Sequence, residues 1–357
     1  MYWTDTIKDL DPYVPGEQPK NDRFVKLNTN ENPYSPSPKV LTAIQAGTDD
    51  TLRLYPDPNS GALKSTIAKY YNLSTENVFV GNGSDEILAL AFLAFFKRKK
   101  PILFPDITYS FYEVYCSLFG IQPERIPLTA AFSISLSDYV RTNGGIIFPN
   151  PNAPTGHYTP VLEIEQLLRK NTSSLLVIDE AYIDFGGESA VPLIDGFPNI
   201  LIIQTLSKSR SLAGLRVGLA LGHRDLIEGL ERAKNAFNSY PLDRLAQRGA
   251  MASFQDDAYF QKTRQKVMAT REWTRQELDR LGFSVVPSRA NFLFIRHELY
   301  HARELFAQLR KSGVLVRYFD KPRIDNHLRV TIGAQKDMGS FIQVLEDILG
   351  AETLSPG

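Results

Sequence analysis

Short apolar, β-branched runs recur through the middle of this chain, and stretches with helical spacing separate most of them, an alternation that few architectures accommodate. Val78-Phe-Val80, Ile102-Leu-Phe104, Ile146-Ile-Phe148, Leu175-Leu-Val-Ile178, Leu201-Ile-Ile203 and Val217-Gly-Leu-Ala-Leu221 each read as a short buried strand. Ser84 to Phe96, Ser110 to Phe119 and Val161 to Lys170 read as helices between them. Buried strands in sequence with amphipathic helices predict an α/β fold built on a large, mainly parallel sheet.

Beyond about Asp225 the texture changes. Arg244 to Leu281 carries apolar residues at helical spacing amid many charges, and Phe283-Ser-Val-Val286, Phe292-Leu-Phe-Ile295, Val314-Leu-Val316 and Leu328-Arg-Val-Thr-Ile332 read as further strands. Helices are expected near His301 to Lys311 and Gln335 to Leu349, which makes this part a smaller α+β layer. The first fifty residues are rich in Pro, Asn and Asp and lack periodicity until Lys39, so they read as an arm lying on another surface. A chain of 357 residues exceeds one compact core. The expected division is an arm over 1–35, packed on the small layer or a neighbouring subunit, a large domain over 36–235 and a small one over 236–357.

Composition removes several classes of function. With 40 Lys and Arg against 40 Asp and Glu, no net field recruits nucleic acid or an anionic membrane. Cys116 is the single cysteine, so an intrachain disulfide is impossible, no metal site is expected, and a reducing cytoplasm fits best. No apolar stretch approaches the roughly 20 residues a membrane helix needs. The first residues, with Asp5, Lys8, Asp9 and Asp11 among prolines, lack the apolar centre of a signal peptide.

Four segments carry chemistry. Thr205-Leu-Ser207-Lys208-Ser-Arg follows a buried strand and sets one lysine among hydroxyls, with Arg216 and Gly218 downstream. Desolvation or a cationic neighbour turns such a lysine into a nucleophile, whereas a solvated loop lysine stays an inert cation. Leu175-Leu-Val-Ile-Asp179-Glu-Ala-Tyr182 puts a carboxylate at the C-terminal end of a strand, where open α/β sheets bind ligands. Taken alone, Asp179 fits equally a helix cap or a Mg²⁺ ligand. Asn150-Pro-Asn152-Ala-Pro-Thr-Gly156 presents the Asn152 amide at the same edge, or is only a turn. Gly81-Asn-Gly83-Ser84-Asp85-Glu86 opens a helix and offers backbone N–H groups to a phosphate, although a plain N-cap accounts for it too.

In content and in order these segments resemble the fold-type-I aminotransferases that depend on pyridoxal phosphate, over nearly the whole chain. The resemblance implies that Lys208 holds pyridoxal 5'-phosphate as a Schiff base, that Asp179 faces the pyridine nitrogen, and that Tyr182 and Asn152 bond the ring hydroxyl. It implies that Tyr109 stacks on the ring and that Gly83, Ser84, Asp85, Thr205, Ser207 and Arg216 bind the phosphate. Tyr55, in Tyr55-Pro-Asp-Pro58, matches a tyrosine that reaches the phosphate of a neighbouring subunit, implying a homodimer with shared active sites.

Pro12-Tyr13-Val-Pro-Gly16, Leu27-Asn-Thr-Asn30-Glu31-Asn32-Pro33 and His327-Leu-Arg329-Val-Thr-Ile-Gly333 look more specifically like the histidinol-phosphate aminotransferase group. That resemblance implies that Arg329 clamps a substrate carboxylate, that Arg317 contacts a substrate phosphate, and that Tyr13 and Asn32 line the pocket. Histidinol phosphate and 2-oxoglutarate are then the expected substrates. Lys321 and Arg323 add basic groups nearby whose role is open. Aromatic amino-acid aminotransferases and threonine-phosphate decarboxylases use nearly the same cofactor residues. A catalytically silent regulator of this fold would be expected to carry a DNA-reading module, and no basic helix-turn-helix segment precedes the fold.

Overall fold

The apolar runs assemble into one seven-stranded sheet. Its spatial order is Val78–Asn82, Val217–Gly222, Ile200–Thr205, Leu176–Asp179, Gly145–Pro149, Ile102–Pro105 and Pro123–Ile126. The computed structural model describes residues 2–19 and 24–353. Val217–Gly222 runs antiparallel to both of its neighbours, and the remaining pairs are parallel. The edge strand Pro123–Ile126 has no counterpart among the apolar runs of the sequence. Only Ile126 of its four residues is buried, so an apolar pattern does not betray it.

Alternation along each strand divides the side chains between two cores. Ile146, Phe148, Leu176, Ile178, Ile200 and Ile202 enter one apolar cluster, whereas Ile147, Val177, Leu201 and Ile203 enter the other. Helices Gly61–Tyr71, Val161–Lys170 and Arg244–Gln255 cover the first face through Leu63, Ile164 and Ala250. Helices Gly83–Ala91, Phe111–Phe119 and Arg224–Phe237 cover the second through Leu88, Tyr112 and Leu230. The stretch expected as one helix from Ser84 to Phe96 is α-helical to Ala91 and widens to a π-turn over Phe92–Phe96.

A second, antiparallel sheet follows, in the order Arg317–Tyr318, Leu328–Thr331, Phe292–His297 and Phe283–Val286. Helices Asp257–Arg280, Ala302–Lys311 and Gln335–Thr353 stand with it. Their Val267, Leu278, Leu305, Leu309 and Phe341 share a cluster with Leu293, Ile295 and Val330 of the strands. Arg244 to Leu281, which reads as continuous helical spacing, is two helices broken at Asp256. The Asp256 carboxylate instead accepts the Ser37 hydroxyl and pairs with Lys39, 3.3 Å away. Upstream, Val25–Lys26 pairs in parallel with Val314–Leu315, so this segment joins the smaller layer, and the Thr29 carbonyl beyond it reaches Lys208 of the large domain.

One close approach sets the spacing of Val78–Asn82 and Val217–Gly222. A Cβ on Gly218 would lie 2.5 Å from both the Gly83 carbonyl carbon and the Ser84 nitrogen, backbone atoms that cannot yield. Gly218→Ala is therefore expected to force these strands apart at the start of helix Gly83–Ala91. Urea unfolding should show a loss of about 1–3 kcal/mol, typical of overpacking.

Candidate active site

The paired register of three parallel strands makes the site. Pro149 lies opposite Asp179, and Asp179 opposite Ile203, so two strands end at one level and the third runs two residues further to Thr205. The turns beyond them, together with the start of helix Gly83–Ala91 and the segment from Asn28 to Glu31, enclose a cleft of about 310 Å³. Asp179, Tyr182, Thr205, Ser207, Lys208 and Arg216 line it, as do Ser84, Asp85, Tyr109, Tyr13, Arg317 and Arg329.

Asp179 ends its strand with 4% of its surface exposed. Its Oδ1 accepts the Ala181 N–H at 3.2 Å and its Oδ2 accepts the Tyr112 hydroxyl at 3.0 Å. Burial pushes the carboxyl up to about 6, against the pull of those two donors. The neighbouring Glu180 is as deeply buried and rises to about 7, but Ser189 Oγ, the Ala190 N–H and Gln204 Nε2 all donate to it, from 2.6 to 2.8 Å. Two consecutive carboxylates thus differ in kind: Glu180 pins loops to the strand, and Asp179 faces the cleft.

Lys208 Nζ donates to the Thr29 carbonyl at 3.2 Å and stands 5.8 Å from the centre of the Tyr182 ring. Tyr182 Oη accepts from Asn30 Nδ2 at 3.0 Å, which leaves its own hydrogen free to donate. Asn30 holds a left-handed backbone, φ 56°, and both its main chain and side chain bond Thr331 Oγ1, at 3.0 Å each. The smaller sheet therefore fixes the tyrosine across the cleft from the lysine.

At the other end, Arg216 sits in the left-handed region, φ 55°, and its NH2 donates to Asp85 Oδ2 at 3.2 Å. Asp85 Oδ1 accepts the Tyr109 hydroxyl at 2.9 Å, and the Thr205 and Ser207 hydroxyls are 2.9 Å apart beside the guanidinium. Gly83, φ 78°, runs behind the same arginine, and a Cβ there would meet Arg216 NH2 at 2.5 Å. A cation, three hydroxyls and the opening turn of a helix form an anion-binding corner.

The wall contributed by the smaller layer is also basic. Arg329 NH2 donates to the Asn28 carbonyl at 3.0 Å, its Nε is buried without a partner, and burial holds the guanidinium below the usual arginine range. Arg317 donates to the Val14 carbonyl at 3.3 Å, and Tyr13 stacks on Phe111 with ring centres 4.4 Å apart.

Four expected residues lie off this wall. Asn152 is fully buried, and its Nδ2 is committed to the Ile107 carbonyl and Thr155 Oγ1, both at 3.0 Å. Its Oδ1 is buried without a partner, and Asn152 is not among the residues that line the cleft. Asn32 donates to the carbonyls of Lys208 and Ser209, at 3.0 and 3.1 Å, and so holds the main chain of the lysine turn. Gly83 lies behind Arg216, and Tyr55 is 78% exposed and stacks on Tyr240 with ring centres 4.7 Å apart. Of the two basic residues with an open role, Lys321 is exposed. Arg323 turns away to the Asp106 carboxylate at 2.6 Å and the carbonyls of Leu128 and Thr129, tying the two layers together.

The family described as aminotransferase class I and II matches residues 22–347. The chain belongs to this family. It is 58% identical to histidinol-phosphate aminotransferase 1 of Pseudomonas aeruginosa, across 96% of this chain and 98% of that one. With histidinol-phosphate aminotransferase 1 of Methylococcus capsulatus it shares 57% identity over 98% of each chain. Its fold matches the crystal structure of histidinol-phosphate aminotransferase from Sinorhizobium meliloti, in complex with pyridoxal-5'-phosphate, at a TM-score of 0.88 and 21% identity, covering 98% of both.

Several residues that build the site of this aminotransferase had no role assigned from the sequence. Asn28, Thr29 and Asn30, within the Leu27 to Pro33 motif, line the cleft, and Asn30 is a residue type suited to its left-handed conformation. Tyr112 is one aromatic among several in an amphipathic helix, and only the fold brings its hydroxyl to Asp179. Among the described residues no group of three His, Cys, Asp or Glu side chains is placed to hold a metal ion, and no helix is long and apolar enough to cross a membrane.

The Asp179 environment makes stability depend on pH. A carboxyl raised from its ordinary 3.8 to about 6 favours the folded state when protonated, so its contribution is complete below 3.8 and is lost as the pH rises through about 6. Asp179→Asn removes that dependence. Between about pH 4 and about pH 7.5 the cofactor-free variant is expected to lose roughly 2–3 kcal/mol less stability than the parent chain in urea titrations.

Proposed function

We propose that this aminotransferase uses pyridoxal 5'-phosphate to carry the amino group of histidinol phosphate to 2-oxoglutarate, giving imidazole-acetol phosphate and glutamate, a step of histidine biosynthesis. The observation that supports it best is the convergence of Lys208, Asp179 and the Arg216 corner on one cleft whose opposite wall carries Arg317 and Arg329. The names of the relatives above point the same way.

The residues present suit this cofactor. A buried carboxylate, a lysine bonded to a carbonyl, an anion corner built on a helix start and the Tyr182 hydroxyl, its hydrogen free, suit a ring nitrogen, an aldehyde carbon, a phosphate and a ring oxygen. Lys208 would hold the cofactor covalently, with Tyr182 donating to the ring oxygen and Tyr109 against the ring face. Thr205, Ser207, Arg216 and the backbone of Ser84 and Asp85 would bind its phosphate. When bound, the cofactor supplies an electron sink for the pair released at the α-carbon of the amino donor. Asp179 holds the proton on the ring nitrogen that makes the sink effective. Lys208, as a free amine, would be the base that carries the proton between the α-carbon of the donor and the aldehyde-derived carbon of the cofactor.

Arg329 is suited to a substrate carboxylate, because a planar guanidinium matches two coplanar oxygens. Arg317, which lines the cleft with Tyr13, would contact the phosphate of histidinol phosphate. Both substrates are anionic, and the two arginines let one cleft accept each in turn. Tyr55, exposed and outside this chain's own cleft, would reach the cofactor phosphate of a second subunit in a homodimer. A single cysteine agrees with a cytoplasmic enzyme. Aromatic walls from Tyr13, Tyr109 and Phe319 favour, as a second reading, an aminotransferase of aromatic amino acids.

Lys208→Ala is expected to abolish both turnover and the absorbance change on adding pyridoxal phosphate; an active Lys208→Ala protein would overturn the reading. Purified protein assayed with histidinol phosphate, phenylalanine, tyrosine and threonine phosphate, followed by keto product or CO₂ release, separates the substrates. Arg317→Ala should lower kcat/KM for histidinol phosphate roughly ten- to a hundredfold, the value of a hydrogen bond between charged groups. Turnover of tyrosine should be nearly unchanged by it. An equal loss with both donors would remove the phosphate contact from Arg317.

A further inference from the structure

The strand end that carries Asp179 receives a side chain from a helix to which the proposed chemistry assigns no part. Tyr112 lies on helix Phe111–Phe119, is 0% exposed, and gives its hydroxyl to Asp179 Oδ2 at 3.0 Å. Its ring is walled in by Phe92, Phe104 and Tyr109, with centres 5.8 to 6.0 Å away, so the hydroxyl has little freedom to turn elsewhere. Burial and the nearby Asp179 charge push the phenol well above the usual tyrosine range, which keeps it a donor at every working pH.

We propose that Tyr112 is a positioning residue for Asp179: its hydroxyl fixes which way the carboxylate faces and favours the charged form that must meet a protonated ring nitrogen. The groups around the carboxylate leave that task to few others. From the same helix come Tyr112 and Tyr115, from helix Gly83–Ala91 comes Asp85, whose charge opposes ionisation, and from the turn after Ile200–Thr205 comes Lys208, whose charge favours it. Lys208 is the group that becomes covalently occupied in the proposed enzyme and so stops offering a full positive charge. Among the described residues the Ala181 N–H, at 3.2 Å, is then the other donor to Asp179. Removing the Tyr112 hydroxyl leaves a buried carboxylate with half of its donors, and its protonation follows.

The inference rests on the reading of the cleft as a pyridoxal-phosphate site, and Tyr112→Phe tests it separately, since the ring that packs the core is kept. Apoprotein titrated with pyridoxal phosphate, followed by absorbance and by quenching of intrinsic fluorescence, gives the dissociation constant across pH 6 to 9. Tyr112→Phe is expected to bind roughly tenfold or more weakly near pH 6.5, the value of one hydrogen bond to a charged group, and to recover toward the parent affinity as rising pH ionises Asp179. Asp179→Asn should be weak at every pH, and thermal melting should show both variants folded. Parent-like affinity across the range in Tyr112→Phe, or a loss that does not vary with pH, would overturn the proposal, the second outcome leaving Tyr112 a packing residue. Failure of the parent protein to bind pyridoxal phosphate would instead overturn the reading of the cleft.

Discussion

The structure depends on the in-register pairing of Gly145–Pro149, Leu176–Asp179 and Ile200–Thr205. Each strand is apolar on both faces and buries alternate residues in two cores, and a slip of one residue would exchange those cores and strand Asp179 out of line with its neighbours. Parallel pairing puts the C-terminal ends of all three strands at one edge, which is where an open α/β sheet has room for a ligand. The antiparallel strand Val217–Gly222 then brings Gly218 against Gly83 and joins the helix start to that edge. Hydrophobic burial fixes the strands, and the chemistry inherits its geometry from them.

The charges in the cleft follow from how much water each group has lost. Asp179 and Glu180 are adjacent and equally buried, yet alternation along the strand sends them to different surroundings. Glu180 meets a hydroxyl, an amide and a main-chain N–H that absorb its charge into the scaffold. Asp179 meets one tyrosine and one main-chain N–H, an arrangement that leaves acceptor capacity toward the cleft. Arg329, buried with Nε unpartnered, is in the complementary position on the opposite wall, so both walls hold charge that a ligand of opposite sign would satisfy.

The sequence made the α/β class, the mainly parallel sheet and most site residues legible, because buried strands and the turns after them are local patterns. Lys208, Asp179 and Arg216 could be named for that reason: Asp179 and Lys208 follow apolar runs by a residue or a short turn, and Arg216 directly precedes the run Val217 to Leu221. Pro123–Ile126 escaped because an edge strand with one buried residue shows no apolar run. The break at Asp256 escaped because helical spacing continues across it, and the side-chain bond to Ser37 that accompanies it spans more than two hundred residues. Asn152 and Asn32 were named as cleft residues from their company in the sequence. Their amides are committed to backbone and hydroxyl groups of the turns they stabilise, which only the coordinates of the acceptors reveal.

By itself the sequence determined which strands are buried, where their ends fall along the chain, and that a lysine, a carboxylate and a glycine-led helix start stand at such ends. Tertiary structure decided what those residues face. Asn30 reaches Tyr182 and Asn291 from a segment more than one hundred and fifty residues away, Tyr112 turns its hydroxyl to Asp179 from a helix on the second face of the sheet, and Arg323 ties the layers instead of lining the cleft. Periodicity and turn chemistry act between neighbours in the chain, whereas hydrogen bonds to a buried charge act over about 3 Å in space. The second kind of information exists only once the cores have packed.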